Sequence, residues 1–409
     1  MTENPLLPVS EALARILATA AQPIPPEMVG LHEAHRRTLA EDLIAPRDQP
    51  PFSASAMDGY AVRAEDVAQV PARLRVIGMS AAGHAFAGAV GAGEAVRIFT
   101  GAPVPAGANA IVIQEDTEAG DGGVAVKEGP PEGRYVRPAG LDFKKDEVLI
   151  RRGHRVSARD LALAAAAGSA QLSVRRKPRV AILATGDELV RPGEILREGQ
   201  IIASNTYAVA AMVRGAGGDA LDLGIAKDDL TQTRLAIRKA LDHEVEILVT
   251  LGGASVGEHD LVQEALTGAG MDLGFWRIAM RPGKPLMHGS LGAMRVLGFP
   301  GNPVSSMVCA LIFLRPLIRA LLGDPAAGAD PARPAILGAD LARNDERQDY
   351  LRASVDQGSS PPIVTAFARQ DSSMMAVFAR SQALILRTPH APPAKAGEAC
   401  RAILLEEWE

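Results

Sequence analysis

The chain has 409 residues, and its 47% hydrophobic and 22% charged residues provide enough apolar side chains for roughly two to four domains, which excludes disorder of the whole chain. A net charge of −5 gives no general electrostatic footprint for a nucleic acid or an anionic membrane, so we expect neither as a partner. The two cysteines and the absence of a signal-peptide pattern at the N-terminus predict a cytoplasmic protein without a disulfide framework.

The first 177 residues predict a helix, a β-rich segment and a second helix. The first helix begins near Ser10, where apolar residues recur at helical spacing, and it ends before Pro23. Between Pro46 and Arg152, short alternating runs separated by Gly and Pro predict an all-β module. Residues 158–168 have a helical composition, so we expect the segments on either side of the β module to form one discontinuous domain.

The middle third of the chain alternates strands with helices. Strands are predicted at residues 180–184, 221–225 and 247–251, and helices at residues 206–214 and 230–241, from about residue 260, and at residues 304–322. This alternation is typical of βαβ units and predicts a parallel sheet with right-handed crossovers. Beyond residue 334, four short apolar runs predict a small C-terminal β-barrel.

These elements predict a multidomain fold of class α/β plus β. It consists of a parallel-sheet βαβ domain, an inserted all-β domain, a small discontinuous α+β domain and a C-terminal β-barrel. The predicted boundaries are residues 1–46 and 144–177 for the discontinuous domain, 47–143 for the inserted domain, 178–326 for the α/β domain and 327–409 for the barrel.

Chemically active side chains follow the strands of the predicted parallel sheet. Ligands of such sheets bind beyond the carboxyl ends of the strands. Carboxylates mixed with cations suit a phosphate bridged by Mg²⁺, and Gly-rich turns at helix N-termini add N–H donors for oxyanions. The sequence therefore predicts a nucleotide-phosphate site built from Asp187, Glu188, Asp228, Asp229, Gly252, Gly253, Ser255, Glu258, Asp260, Arg277, Arg281 and Lys284.

Each of these features has a structural alternative. Gly252 and Gly253 could form only a tight turn between a strand and a helix, and Asp187 with Glu188 could be solvated or could cap a helix. Arg277 and Arg281 could alternate with apolar neighbours on the exposed face of a strand. The binding interpretation rests on their shared position at one edge of one sheet.

Six motifs, in this order along the chain, carry a resemblance to a known family. They are residues 55–62 (SAMDGYAV), 100–107 (TGAPVPAG), 185–189 (TGDEL), 252–260 (GGASVGEHD), 281–285 (RPGKP) and 300–305 (PGNPVS). Together they resemble the molybdopterin molybdenumtransferases, which comprise bacterial MoeA and the E domain of gephyrin. By local chemistry alone, the first two are ordinary turn sequences.

The resemblance implies the last step of molybdenum cofactor synthesis. The substrates would be adenylylated molybdopterin and molybdate, Mg²⁺ would assist the release of AMP, and molybdenum would remain on the dithiolene of the pterin. It also implies a homodimer in which the β insertion of one subunit faces the α/β and C-terminal domains of the other. An upstream adenylyltransferase and recipient molybdoenzymes are the further partners implied.

The family's functional positions map onto this sequence one by one. The implied catalytic residues are Asp58, Asp142, Glu188, Asp228 and Asp260, and the implied metal ligands are Asp187, Glu188 and Asp228. The implied substrate-binding residues are Thr100, Gly252, Gly253, Ser255, Arg277, Arg281, Lys284, Asn302, Arg347 and Ser372. Arg352 is an alternative to Arg347, because both arginines fit the same motif.

Two other functions stay open from the sequence. One is a molybdopterin adenylyltransferase, whose fold resembles the α/β domain alone; the additional β domains argue against it. The other is a non-catalytic dimeric scaffold, the use that gephyrin makes of its E domain; the carboxylates and basic residues that this chain retains argue against that.

Overall fold

The computed structural model describes residues 6–253 and 261–405, and up to residue 175 it has a β insertion between two helices. The elements are α1 (Val9–Ala18), β1 (Pro26–Gly30), β2 (Leu43–Ile44), β3 (Ala54–Ser55), β4 (Gly59–Val62), β5 (Ala72–Ser80), β6 (Glu94–Ile98), β7 (Ala110–Ile113), β8 (Thr117–Gly120), β9 (Gly123–Val126), β10 (Val136–Arg137), β11 (Val148–Ile150), α2 (Ala158–Ala167) and β12 (Gln171–Arg175). The insertion contains a six-stranded sheet in the order β7-β4-β6-β5-β9-β8.

The segments that flank the insertion pair with each other. β1 pairs with β12 and β2 with β11, both antiparallel. α2 begins with a capping box, in which Ser157 and Asp160 exchange side-chain-to-backbone hydrogen bonds, and it ends at Gly168, whose φ of 89° suits glycine. α1 lies apart from this unit, because its buried face joins the core of the α/β domain. The N-terminal helix thus packs on a different domain from the one to which the sequence assigned it.

The middle of the chain folds as an α/β domain. Its elements are β13 (Arg179–Thr185), β14 (Leu189–Val190), β15 (Ile201–Ile202), α3 (Asn205–Ala216), β16 (Asp219–Ala226), α4 (Leu230–Asp242), β17 (Ile247–Leu251), α5 (Leu261–Gly268), β18 (Asp272–Trp276), β19 (Met280–Arg281), β20 (Met287–Leu291), β21 (Met294–Phe299) and α6 (Pro303–Leu321). Its main sheet has the order β16-β13-β17-β21-β20-β18. The first four strands in this order are parallel, as predicted, but β20 runs antiparallel to both of its neighbours, β21 and β18, so the sheet is mixed.

Alternate side chains of the central strands serve two cores. On β13, Val180 and Ile182 pack in one core together with α3 and α6, whereas Ala181 and Leu183 pack in another with α4 and α5. The central strands are therefore buried on both faces, which accounts for their continuous apolar sequences.

In the part of the chain that the structure describes, α6 is the one helix that combines great length with an apolar composition. By length and composition this helix could cross a membrane. However, 72% of its apolar stretch is buried inside the protein, as in the core helix of a globular domain. It widens into a π-helical turn at Ala310–Leu314. Pro316 lies two residues after this turn and has no N–H, so a wider turn at this point accommodates its ring within the helix.

The last segment forms a closed β-barrel, as the sequence predicts. Its elements are β22 (Arg333–Leu337), β23 (Gln348–Asp356), β24 (Ile363–Ala366), α7 (Met375–Ala379), β25 (Ala383–Arg387) and β26 (Ala399–Leu404). The strands follow the order β23-β24-β22-β26-β25, and β25 pairs with β23 to close the barrel. β19 of the α/β domain adds to β23 in parallel and so joins the two domains.

Candidate functional site

A cavity of about 990 Å³ lies at the carboxyl ends of the four parallel strands. It begins where β13, β16, β17 and β21 end. β13 lies between β16 and β17, so the chain reverses its direction across the sheet at this point, which is where open α/β sheets bind ligands. The predicted site residues that line the cavity are Glu188, Asp228, Gly252, Gly253 and Asn302.

The turn after β13 carries the predicted acidic pair. Gly186 has a φ of 143°, and a Cβ added there would lie 2.4 Å from Oε2 of Glu188, so the carboxylate of Glu188 folds directly over glycine backbone. The backbone N–H of Asp228 donates to Oδ1 of Asp187 at 3.2 Å. Asp187 itself lies outside the cavity lining. Asp229 caps α4 by accepting a hydrogen bond from the N–H of Gln232.

The two glycines after β17 are required by the geometry of the cavity wall. Gly252 and Gly253 have φ values of 98° and 66°. A Cβ added to Gly252 would lie 2.7 Å from the carbonyl oxygen of Thr185, and one added to Gly253 would lie 2.4 Å from a methyl group of Val262. The glycines therefore form the tight turn of the structural alternative, and this turn is part of the cavity wall, while their role in binding stays a prediction.

A barrel loop reaches the N-terminus of α6 at the rim of the cavity. Asn302 occupies the N-cap position but makes no side-chain cap bond; instead its amide donates to Oγ of Ser372 at 2.9 Å. The N–H of Val304 donates to the carbonyl of Ser372 at 3.0 Å, and Ser373 lines the cavity. The barrel thus contributes directly to the wall.

Arg352 supports this loop from behind. It is 1% exposed, and its guanidinium donates to the carbonyl of Asp371 at 2.6 Å and to Oε1 of Gln370 at 3.1 Å. Arg347 pairs instead with Asp345 at 2.7 Å. Neither arginine lines the cavity, and Arg352 is the one that holds the loop carrying Ser372.

The three predicted basic residues do not form one cluster in the cavity wall. Arg281 is paired with Asp345 at 3.0 Å and with the buried Asp349, so its guanidinium is committed to carboxylates. The hydrogen bond that Arg281 donates to Asp349 raises the pKa of Arg281 above its ordinary value, and burial raises the pKa of Asp349. These carboxylates are therefore the partners of Arg281 within the chain, and its role in anion binding stays a prediction.

Among residues 6–253 and 261–405, no carboxylate pairs with Arg277 or Lys284 in the way that Asp345 and Asp349 pair with Arg281. Arg277 has a φ of 82°, outside any strand, which removes the alternative that it belongs to the exposed face of a strand. Its guanidinium lies 5.5 Å from the ring centre of Trp276. Lys284 is exposed and precedes Pro285, which lines the cavity.

The residues implied from the β insertion lie away from the cavity of their own chain. Asp58 accepts two hydrogen bonds from Thr100, at 2.7 Å from its N–H and 2.8 Å from its hydroxyl. The backbone N–H of Asp142 donates to the carbonyl of Gln49. None of the three lines the cavity, so within a single chain the structure does not bring them to it.

Removing the hydroxyl of Thr100 tests whether its hydrogen bond lowers the pKa of Asp58. The N–H and then the hydroxyl of Thr100 lower the pKa of Asp58, with the charge of Arg97 adding to them, so the carboxylate stays ionised until the pH falls below its ordinary range. In Thr100→Val the pKa of Asp58 should rise part of the way towards its ordinary value of about 3.9, because the N–H bond remains. NMR titration of the Asp58 carboxyl carbon measures this, and an unchanged pKa would contradict the assignment.

A preformed metal cluster is not found in the described ranges. Among residues 6–253 and 261–405, no group of three or more His, Cys, Asp or Glu side chains could hold a metal ion, so the predicted ligands Asp187, Glu188 and Asp228 do not form a ready three-carboxylate site. Mg²⁺ usually takes one or two carboxylates and completes its shell with water and substrate phosphate oxygens. Glu188 and Asp228, which both line the cavity, fit that donor set.

Ser255 and Asp260 lie outside the described residues. Sequence reasoning missed Asn205 and Lys227. The amide of Asn205 donates to the carbonyl of Gly301 at 2.8 Å and so fastens the strand-to-helix turn at the start of α6. The sequence indicates a role for Asn205 only through its position at the start of a predicted helix. Lys227 precedes the predicted site residue Asp228, and no sequence pattern singles it out.

Three family descriptions match the chain in order. They are "MoeA N-terminal region (domain I and II)" over residues 7–168, "Probable molybdopterin binding domain" over residues 181–320 and "MoeA C-terminal region (domain IV)" over residues 334–405. Together they span most of the sequence.

Full-length relatives agree with these matches. The chain is 34% identical to a molybdopterin molybdenumtransferase of Haemophilus influenzae, over 96% of this chain and 97% of the relative. It is 33% identical to one of Bacillus subtilis, over 98% and 94%. The crystal structure of a molybdopterin biosynthesis moeA protein from Pyrococcus horikoshii OT3 superposes with a TM-score of 0.84 at 28% identity, covering 98% of this chain and all of that one.

Proposed function

The chain belongs to the MoeA family, and from this premise we propose that it is a molybdopterin molybdenumtransferase, which inserts molybdenum from molybdate into adenylylated molybdopterin and releases AMP. The observation that carries the proposal is the cavity at the switch point of the sheet. There, two carboxylates lie beside a two-glycine turn and a helix N-terminus.

The backbone around the cavity suits the phosphate end of the substrate. The N-terminus of α6 forms part of the cavity wall, and the dipole of the helix favours negative charge at that end. A cavity of about 990 Å³ has room for a nucleotide. We assign the adenylate phosphate of the substrate to this wall.

Magnesium is the metal that the donor set favours. Glu188 and Asp228 would hold it by their carboxylate oxygens, with the substrate phosphates as its other ligands. When bound, Mg²⁺ neutralises phosphoanhydride charge as AMP departs. The chain's own contribution is to fix Glu188 over Gly186 and to direct the N-terminal end of the α6 dipole at the cavity.

The sulfur ligands of molybdenum should come from the pterin. Cys309 is buried in α6, and burial raises the pKa of its thiol. Burial also raises the pKa of the Cys400 thiol, to about 11. Since the thiolate is the form that binds metals, both cysteines are poor ligands at neutral pH. Arg277 and Lys284 remain as the cations for molybdate, a dianion.

The proposal includes a second copy of the chain. Asp58, Thr100 and Asp142 belong to the insertion and are absent from the cavity lining of their own chain. In a homodimer the partner subunit would supply these three side chains, which gives them a shared purpose. An upstream adenylyltransferase would deliver the substrate, and molybdoenzymes would accept the product.

A molybdate-dependent AMP-release assay tests the proposed function. The full-length protein, adenylylated molybdopterin and Mg²⁺ should release AMP only when molybdate is present. Consumption of ATP with release of pyrophosphate would identify an adenylyltransferase instead. Absence of both reactions, together with failure to restore molybdoenzyme activity in a deficient strain, would favour a non-catalytic scaffold.

A further inference from the structure

Lys227 lies between the strand β16 and the cavity residue Asp228, and its side chain reaches back to the acidic turn. Its ammonium donates to the carbonyl of Asp187 at 2.9 Å and to the carbonyl of Leu189 at 3.2 Å. These two carbonyls flank Glu188. The side chain of Lys227 is therefore hydrogen-bonded to the backbone on both sides of Glu188.

The turn has little else to close it internally. The backbone hydrogen bond from the N–H of Leu189 to the carbonyl of Gly186 is 3.4 Å long, beyond the usual range for such bonds. Gly186 adds conformational freedom, since its φ of 143° is open to glycine and strained for other residues. The charged donors of Lys227 are stronger than neutral ones, so they are a major restraint on this turn.

The neighbours of Lys227 strengthen the same junction. The N–H of Gly186 donates to the carbonyl of Ala226 at 3.1 Å, and the N–H of Asp228 donates to Oδ1 of Asp187 at 3.2 Å. With the two bonds from Lys227, four hydrogen bonds join residues 226–228 to residues 186–189. The two segments that carry Glu188 and Asp228 are thus fastened to each other.

We propose that Lys227 is a positioning residue that holds the carboxylates of Glu188 and Asp228 at a fixed spacing for the substrate-borne magnesium ion. This inference rests on the proposed function for its role in the reaction. The restraint that Lys227 places on the acidic turn does not depend on the proposed function, because it follows from the hydrogen bonds alone. Lys227 need not touch the substrate, because it acts through the backbone of the turn.

Hydrogen exchange of the full-length protein tests the restraint directly. In Lys227→Met, which keeps most of the apolar part of the side chain but removes its donors, the amides of Leu189 and Ile201 should exchange at least about tenfold faster. The second amide reports on the turn because it donates to the carbonyl of Glu188 at 2.8 Å. Lys239→Met, on the exposed face of α4, is the matched control and should leave both amides unchanged.

Magnesium dependence of AMP release tests the functional half. Lys227→Met should raise the Mg²⁺ concentration for half-maximal rate about tenfold and lower the maximal rate, whereas Lys227→Arg, which keeps a charged donor, should recover most of both. Unchanged amide exchange, or faster exchange with an unchanged Mg²⁺ requirement, would overturn the role of Lys227. A wild-type protein that releases no AMP would instead refute the proposed function, so the two failures are distinguishable.

Discussion

Replacing Glu188 by Gln is expected to lower molybdate-dependent AMP release by a factor of about 10² to 10³ while leaving the fold intact, in line with the loss of one preorganised charged group from an active site. The side chain keeps its size, so it still fits above Gly186, but it loses the negative charge that would hold Mg²⁺ beside the phosphoanhydride. Initial rates at saturating Mg²⁺ measure the effect. Asp228→Asn should have a similar effect for the same reason.

The matched control is Glu198→Gln, which removes a carboxylate from an exposed position in the same domain and outside the cavity lining. It should retain the wild-type rate. Melting temperatures of both variants should stay within a few degrees of wild type, since neither side chain is part of the core. Full turnover by Glu188→Gln would rule out the assignment of the metal to this carboxylate.

The central strands could be predicted because their burial on both faces leaves a continuous apolar run in the sequence. β17 appears at the predicted residues, Ile247–Leu251. β18 and β20 were missed. β20 includes His288 and Gly289, so its sequence offers neither a continuous apolar run nor a strict alternation.

In the candidate site, too, some features could be predicted from the sequence and others could not. The location of the acidic turn and of the two glycines follows from chain order alone, because strand ends of a parallel sheet share an edge. Partners within the folded chain do not follow from it. The sequence around Arg281 is typical of an anion-binding site. In the folded chain, however, its guanidinium donates hydrogen bonds to the carboxylates of Asp345 and Asp349, which lie 64 and 68 residues further along the sequence. Pairing across such distances depends on the docking of the barrel, which no local pattern encodes.

The hydrogen bond between Asn302 and Ser372 shows the same limit of sequence-based prediction at two predicted site residues. A local rule places Asn302 at the N-cap with Pro303 in the first turn, and the structure agrees. The rule also predicts that the Asn side chain bonds to the helix backbone, whereas it bonds to the barrel loop instead. A tertiary contact has replaced a local one, and the replacement is what brings the barrel to the cavity.

Mixing two inactive variants should restore activity if the groove is shared between subunits. Asp58→Ala and Glu188→Ala should each be inactive alone, because each removes one predicted carboxylate from every groove of a homodimer. In a mixed dimer, both substitutions fall in one groove and the other groove is intact. With random exchange half of the dimers are mixed, so about a quarter of the wild-type rate should return.

The control for this experiment is a mixture of Glu188→Ala with Asp228→Ala. Both side chains line the cavity of one chain, so every groove of a mixed dimer keeps one defect and no activity should return. Subunit exchange can be verified with differently tagged chains purified in tandem. Recovery with Asp58→Ala but not with Asp228→Ala would place Asp58 opposite the cavity of the partner subunit. Equal failure of both mixtures despite verified exchange would mean that the insertion acts within its own chain, and the groove would then have to be closed by a movement of that insertion.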